Sequence, residues 1–510
     1  MIELNIFSSR ISAVCDEMGL MLQRAALSPN IKDRLDFSCA VFDAQGLLIA
    51  QAAHIPVHLG SMAYAMADIV EKLNWQDGDM AIVNDPFLGG THLPDVTVIA
   101  PVFVGNQLIA FIANRAHHAD IGASTPGSMP LSYRLDEEGV IIAPTHLIRQ
   151  GQLDELFLST IVSATGNAEQ SRGDFSAQIS ANKAGVVRLS QLIETMGVDS
   201  FLVAVTELND YAERLAESAL KTIPNGRYRF ADVMDDDGMG QKNLLIQAQI
   251  EIDQGRVLVD FEGTTAQARG NVNCPLSVAA AAVYYVFRCL MPSQTPACAG
   301  SFRAIAITAP VGCLLNAQRP AAVAAGNVET STRVVDVIMG CLAQAIPERM
   351  AAASHGSMNN VAMGGLQAGQ CWNYYETIGG GMGASPAGEG LSACQTHMTN
   401  TLNTPVESLE LHYPLRINRY EIRRNSGGIG CYSGGAGMAR EFEFLAPTTV
   451  TLLTERRTEP AWGLEGGFPG LVGLNTLENQ ALLGKTCFEA LPGQRLSIET
   501  PGGGGWGGLS

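Results

Sequence analysis

Apolar positions change period repeatedly along this chain. Residues 8–27 place Ile11, Val14, Met18 and Leu22 three or four apart, which predicts a helix. "SCAVFDAQGLLIAQ" (38–51) reads as two apolar runs that turn at Asp43–Gly46, a hairpin. Helical spacing returns over 60–75, and "DMAIVND" (79–85) predicts a strand. Another helix is expected over 199–222, and "LIQAQIEIDQGRVLVDFEG" (245–263) forms a hairpin around Gln254-Gly255. Residues 275–291 are apolar nearly all round, so they predict a buried helix. A last helix spans 329–346, with Asn327 as its cap. From about residue 411 the pattern is short strands and Gly-rich turns with no helix. The closing "TPGGGGWGGLS" is the one stretch read as disordered, low-complexity chain.

Helices and hairpins mix here without regular βαβ alternation. The expectation is an α+β fold, mixed and multi-domain, with hairpin-rich sheets and a β-rich, Gly-rich C-terminal region. A length of 510 residues suits two or three domains. The composition shifts divide it into 1–222, 223–410 and 411–510.

One stretch of the pattern carries chemistry. In "GGTHLPDVTVIAPVF" (89–103) an apolar strand begins behind an imidazole and a carboxylate. "VGNQLIAFIANRAHHAD" (104–120) follows, and Gly105-Asn106 is a two-residue hairpin signal. If those two residues form the turn, opposed positions sum to about 211 and lie about 5 Å apart. Asp95 then faces Ala116, His117 faces Pro94 and His92 faces Ala119. His92, Asp95 and His117 gather at one end of the ribbon, with His118 and Asp120 beside them. Side chains three apart fall on opposite faces of a flat strand, so Pro94 must mark a local turn for His92 and Asp95 to meet. Two imidazoles and a carboxylate suit a divalent first-row metal, and three protein ligands leave positions open as in a catalytic site. The alternative is a set of polar residues capping strand ends. Five of the nine histidines lie between His54 and His118, which favours the metal. His54 and His58, in "HIPVHLG", either line the same pocket or pack at a strand end.

Charge and composition narrow the partners. A net charge of −18 repels phosphate backbones and argues against nucleic acid. No apolar run is long enough to span a membrane, and the N-terminus lacks the basic start and apolar block of a signal peptide. Eleven cysteines at irregular spacing, without C-x-x-C, read as reduced thiols of a cytoplasmic protein. Charged residues make up only 16%, which implies either a large core or surface buried against a partner. "ALLGKT" (481–486) is not a nucleotide loop, because Asn479 stands where the first glycine is required. Glu329 and Arg333 sit i, i+4 at a helix start, as a surface ion pair or as part of an anion site. "ETIGGGMGAS" (376–385) is either a tight loop or a backbone cradle for a ligand. "CQTHMTNTLNTPVE" (394–407) is a candidate substrate loop that holds His397.

Taken together, "DRLDFSCAVFDAQGLLIAQAAHIPVHLGSM" (33–62), "NDPFLGGTHLPDVTVIAPVF" (84–103), "ANRAHHADIG" (113–122), "GNVETSTRVVDVI" (326–338), "YYETIGGGMGA" (374–384), "THMTNTLNTPVESLE" (396–410) and "TPGGGGWG" (500–507) resemble the hydantoinase B/oxoprolinase family over essentially the whole chain. The resemblance implies the B-type component of an ATP-dependent cyclic-amide hydrolase that opens hydantoin, 5-oxoproline or lactam rings. An A-type partner would bind ATP and Mg and phosphorylate the substrate, in an assembly expected to be α2β2. The B-type chain would hold a divalent metal (Mn, Zn or Fe) and finish the reaction with metal-bound water. In the carboxylase members the ligands are His-x-x-Asp plus a later His, which match His92, Asp95 and His117. His118 or Asp120 would then orient a ligand or shuttle a proton, with Glu329, Arg333 and His397 as substrate contacts. Resemblance also admits a component of a ketone carboxylase, or a non-catalytic scaffold for the A-type chain.

Overall fold

The computed structural model, which describes residues 2–509 apart from Ala53 and Ala368, arranges the chain around four sheets. The first is antiparallel throughout. It comprises β1 (Phe37–Asp43), β2 (Leu48–Gln51), β3 (Met80–Val83), β4 (Asp95–Val104), β5 (Gln107–His117), β6 (Thr145–Arg149) and β7 (Gln152–Leu153). Their order is β2-β1-β5-β4-β3-β6-β7. Around this sheet run the helices α1 (Ile2–Ala25), α2 (Pro29–Lys32), α3 (Pro56–Glu71), α4 (Glu155–Ser163), α5 (Ala168–Met196) and α6 (Val198–Leu220). Cys39, Val41, Ile112 and Ala116 on one face pack against α1, α5 and α6. Ala40, Phe42, Ile99, Phe111 and Ala113 on the other pack against Leu59, Met62 and Met66 of α3. Burial on both faces is why β4 and β5 read as near-continuous apolar runs instead of alternating ones.

The pattern predicted no element where the 29-residue α5 lies. Its buried face carries Asp174, Gln178 and Asn182 at four-residue spacing, so the apolar stripe is interrupted. Those side chains bind backbone and sheet polar groups. Asp174 accepts from the Leu27 and Ser28 N–H groups at 2.8 and 3.1 Å. Gln178 donates to the Val96 carbonyl and Asn182 to the Val98 carbonyl, each at 2.9 Å.

The second sheet contains β8 (Gly226–Asp236), β9 (Lys242–Asp253), β10 (Arg256–Asp260) and β11 (Ile305–Thr308), in the order β11-β10-β9-β8. Its hairpin turns at Gln254-Gly255, both at positive φ, as the spacing predicts. Helices α7 (Leu276–Leu290) and α8 (Ser331–Ala343) share its core. A single π-helical turn, Gly326–Thr330, precedes α8, so Asn327 lies inside a helical turn and does not cap it.

The third sheet joins β12 (Asn360–Gln367) and β13 (Gln370–Glu376) to β16 (Thr448–Leu453) and β19 (Lys485–Ala490). Between them in sequence come α9 (Val406–His412), β14 (Leu415–Arg423) and β15 (Gly437–Phe444). The fourth sheet combines β14 and β15 with β17 (Leu474–Leu477), β18 (Gln480–Ala481) and β20 (Arg495–Glu499). These two sheets share one core that includes Val361, Val450, Phe442 and Ile498.

The glycine-rich tail is ordered and central, contrary to the expectation of disordered chain. Gly502, Gly503, Gly504 and Gly505 are buried. Their backbone is hydrogen-bonded to Leu471, Gly435, Ala353 and Phe468. A Cβ on Gly502 would lie 1.9 Å from the Ser426 oxygen, and one on Gly504 would lie 2.0 Å from the Trp462 oxygen. None of the four has a positive φ, so the requirement for glycine is close backbone approach. Gly381 and Gly383 of "ETIGGGMGAS" belong to the same bundle: added Cβ atoms would lie 1.9 Å from the oxygens of Gly435 and Ala352. That loop is built for packing.

Candidate metal centre

The β4–β5 hairpin positions the site, with one shift from the expected register. Next to the turn Val104 faces Gln107 and Phe103 faces Leu108, as predicted. An irregularity between Val102 and Phe103 then slips the pairing by one, and Asp95 lies directly opposite His117. A slip of one residue changes which side chains share a face. Here it sets the Asp95 and His117 side chains face to face. The turn implied by Pro94 is present, with the Asp95 N–H donating to the His92 carbonyl at 3.1 Å. It swings His92 back over the strand end.

Asp95 Oδ1 is the meeting point. His92 Nε2 and His117 Nδ1 each lie 3.1 Å from it, and all three side chains are 0–3% exposed. Their candidate ligand atoms all fall within 4.8 Å of one another. The other carboxylate oxygen, Oδ2, is held separately. Thr91 Oγ1 donates to it at 2.7 Å and Asn327 Nδ2 at 3.1 Å, and His58 Nε2 lies 3.2 Å away. His58 sits on α3 and also stands 3.8 Å from Asp36. On the far side Tyr375 stacks on His117, with ring centroids 4.6 Å apart and planes 14° apart. Its hydroxyl donates to Asn360 Oδ1 at 2.5 Å.

The donor set fits a divalent cation. His92 Nδ1 faces the Ala324 carbonyl at 3.1 Å. A carbonyl only accepts, so Nδ1 bears the hydrogen and a neutral ring leaves a lone pair on Nε2. That lone pair points at a carboxylate oxygen, and Nε2 has no hydrogen-bond partner of its own. Two acceptors facing each other in a dry site repel unless a positive charge sits between them. The same tension appears in the proton affinities. Burial disfavours charge on His92, but the adjacent Asp95 carboxylate and the Ala324 carbonyl outweigh it, and its pKa is raised. Burial opposes ionisation of Asp95 too, yet His58, His92 and His117 hold it well below the usual carboxylate range. His117 is lowered, chiefly by burial.

His118 and Asp120, expected beside the trio, do other work. Strand alternation puts His117 on the α3 face with Arg115, which bonds Ser61 of α3 at 2.7 Å. His118 therefore faces α5, where its Nε2 lies 2.9 Å from Gln178 Oε1 and its ring stacks on Phe175. Asp120 accepts from the N–H groups of Gly122 and Gly166, each at 2.7 Å, and from Asn373 at 2.9 Å. It ties loops together. Neither residue bonds to the trio.

The expected substrate contacts are also elsewhere. Glu329 and Arg333 are fully buried and do not pair with each other. Glu329 Oε1 accepts from the Met358 N–H at 3.0 Å and from Asn360 at 2.9 Å, and burial pushes its carboxyl up to about 7. Arg333 is engaged by Glu455 at 3.1 Å and by the Val233 carbonyl. His397 is buried against Asp336 at 4.0 Å and Tyr285. His54 packs on Phe37 and accepts the Cys39 N–H at 3.2 Å. Of the two readings of His58, the structure supports the one that brings it to the centre, 3.2 Å from Asp95, whereas His54 packs on Phe37. Sequence reasoning missed Thr91, Asn327 and Tyr375 as supports of the centre, because they arrive through tertiary packing or local turns.

The Hydantoinase B/oxoprolinase family model matches residues 1–509. The chain belongs to the hydantoinase B/oxoprolinase family. It is 38% identical to 5-oxoprolinase 1 of Arabidopsis thaliana, over 99% of this chain and 42% of that protein. It is 32% identical to a putative B-type subunit of a D-/L-hydantoinase from a Pseudomonas species, over 99% of this chain and 90% of that one. The crystal structure of the ATP-dependent caprolactamase from Pseudomonas jessenii superposes with a TM-score of 0.92 at 27% identity, covering 99% of this chain and 91% of that chain. The chain thus spans about two-fifths of the plant oxoprolinase and most of the hydantoinase and caprolactamase chains. The α+β, multi-sheet architecture is the caprolactamase fold. Among the described residues no helix is long and apolar enough to cross a membrane. All eleven cysteines are free thiols.

Proposed function

We propose that this chain is the B-type component of an ATP-dependent hydrolase of cyclic amides. The observation that carries the reading is the buried convergence of His92 Nε2, His117 Nδ1 and Asp95 Oδ1 in a chain whose residues 1–509 match the family. An A-type partner, in an α2β2 assembly of the cytoplasm, spends ATP to activate the ring. The names of the Pseudomonas hydantoinase component and of the ATP-dependent caprolactamase support that division. The net reaction consumes two waters, one added across the C–N bond and one in the cleavage of ATP to ADP and phosphate.

His92, Asp95 and His117 would hold a divalent Mn, Zn or Fe ion. Such an ion supplies acidity to water and polarises a carbonyl oxygen at neutral pH. The chain's own residues do the rest. The Ala324 carbonyl fixes the His92 tautomer, so Nε2 is the donor atom. Thr91 and Asn327 pin Oδ2 of Asp95 and leave Oδ1 turned inward. His58 Nε2, 3.2 Å from the same Oδ2, adds a third partner on that oxygen. Burial of the trio keeps bulk water from quenching an activated substrate.

The test is reconstitution. The purified chain and its A-type partner are supplied with ATP and 5-oxoproline, a hydantoin or caprolactam, and ring-opened product and ADP are measured. Turnover of one of these, lost on chelation and in His92→Ala, supports the reading. Turnover of a ketone with bicarbonate instead would make the chain part of a carboxylase. Full turnover by His92→Ala would leave it a scaffold.

A further inference from the structure

Glu138 is a buried carboxyl that the mechanism above does not use. It is 0% exposed, and no cation approaches it within 4 Å among the described residues. Its partners are instead Ser132 Oγ at 2.7 Å, the Val323 N–H at 2.9 and 3.1 Å, and the Ala324 N–H at 3.0 Å. Leaving a carboxylate in such a place without a counter-ion is costly, and the two successive backbone N–H groups say what it is for. They begin a strap, residues 323–327, that reaches the metal centre twice. Its Ala324 carbonyl meets His92 Nδ1 at 3.1 Å. The N–H of the same peptide unit, that of Ala325, donates to the Asn271 carbonyl at 3.0 Å. Two residues on, Asn327 donates to Asp95 Oδ2 at 3.1 Å.

We propose that Glu138 is a positioning residue of the metal centre: it anchors the 323–327 strap, and through it sets the tautomer of His92 and the orientation of Asp95. The inference rests on the metal reading above and deepens it. A residue 46 positions beyond His92 in sequence thereby governs two of the three ligands without touching either. Outer partners of this kind are worth about 10- to 100-fold in metal affinity.

The experiment titrates the chelator-stripped full chain with Zn²⁺ alone and with Mn²⁺ alone, and records thermal melting of the same samples in EDTA. Glu138→Gln keeps the volume but removes the charge-assisted acceptors and sets an NH₂ group, in place of Oε2, against the Val323 N–H, so it loosens the strap. The expected result is binding at least about 10-fold weaker for both ions, with the metal-free melting point within a few degrees of the parent. Glu138→Gln and Asn327→Ala, cutting opposite ends of one strap, should be less than additive when combined. Should Glu138→Gln fail to fold, Ser132→Ala carries the test, with a weakening of about threefold expected from loss of one hydrogen bond. Affinity within twofold of the parent in these variants, with or without a lower melting point, overturns the proposal, because a purely structural carboxyl would behave that way. A parent chain that binds neither ion overturns the metal reading and the proposal together. A parent that binds beside an unaffected Glu138→Gln overturns the proposal alone.

Discussion

Gly503→Ala puts the packing of the C-terminal glycines to a direct test. The added Cβ would lie 2.2 Å from the Met382 oxygen, 2.3 Å from the Met382 carbonyl carbon and 2.7 Å from the Gly383 nitrogen. All three are backbone atoms, so no side chain can swing away. Relief requires the 502–505 segment and the 382–383 segment to part by about 1 Å, a third of an ordinary van der Waals separation. Gly503 donates to the Gly435 carbonyl at 3.0 Å and accepts the Gly428 N–H at 2.8 Å. Separation stretches both bonds and the neighbouring ones. Overpacking costs about 1–3 kcal/mol, and each lost backbone bond about 1 kcal/mol. The sum is about 3–5 kcal/mol, in the range reserved for severe substitutions. In a chain this long each kcal/mol moves the melting point by roughly 1–2 °C, so a fall of at least about 3 °C is expected by differential scanning fluorimetry. Gly508→Ala is the control, since nothing lies within 4 Å of its Cβ. It should melt within about 1 °C of the parent. If Gly503→Ala did the same, the tail would not be packed as described and the argument from close approach would be wrong.

Other predictions address the site and its surroundings. His92→Ala should abolish stoichiometric metal binding by elemental analysis while co-purification with the A-type partner is retained. His118→Leu severs the bond to Gln178 on the α5 face, so it should lower the melting point while metal affinity stays within about threefold. His355 is fully buried, and burial, with His397 and nearby arginines, pushes it down to about 3. The unfolded chain takes up a proton below its ordinary value of about 6.5 that the folded chain refuses, so this residue removes stability as pH falls. Relative to His355→Gln, the parent should lose about 2 kcal/mol between pH 6.5 and 5, measured by denaturant midpoints at each pH. Equal losses in both proteins would show that His355 is accessible to protons in the folded state.

Local pattern in the sequence determined the hairpins of the first two sheets, the α+β class and the ribbon that carries Asp95 and His117. These depend on turn chemistry at Asp43–Gly46, Gly105-Asn106 and Gln254-Gly255 and on runs of apolar residues, and both are properties of neighbours in the chain. The pairing of His92, Asp95 and His117 was legible to within one residue for the same reason. What remained was decided by tertiary structure. The irregularity at Val102/Phe103 depends on how the strands fit the sheet on either side, and no local residue announces it. Helix α5 was hidden because polar residues interrupt its buried apolar face, and Gln178 and Asn182 make sense only beside the Val96 and Val98 carbonyls. Glu329 and Arg333 look like a surface pair until the core closes over both and gives each a different partner. His58, Asn327, Tyr375 and Glu138 come to the centre from an N-terminal helix, a π turn, the third sheet and a loop. Sequence periodicity reports which face of an element is buried. It does not report what that face meets, and a metal centre depends on those meetings.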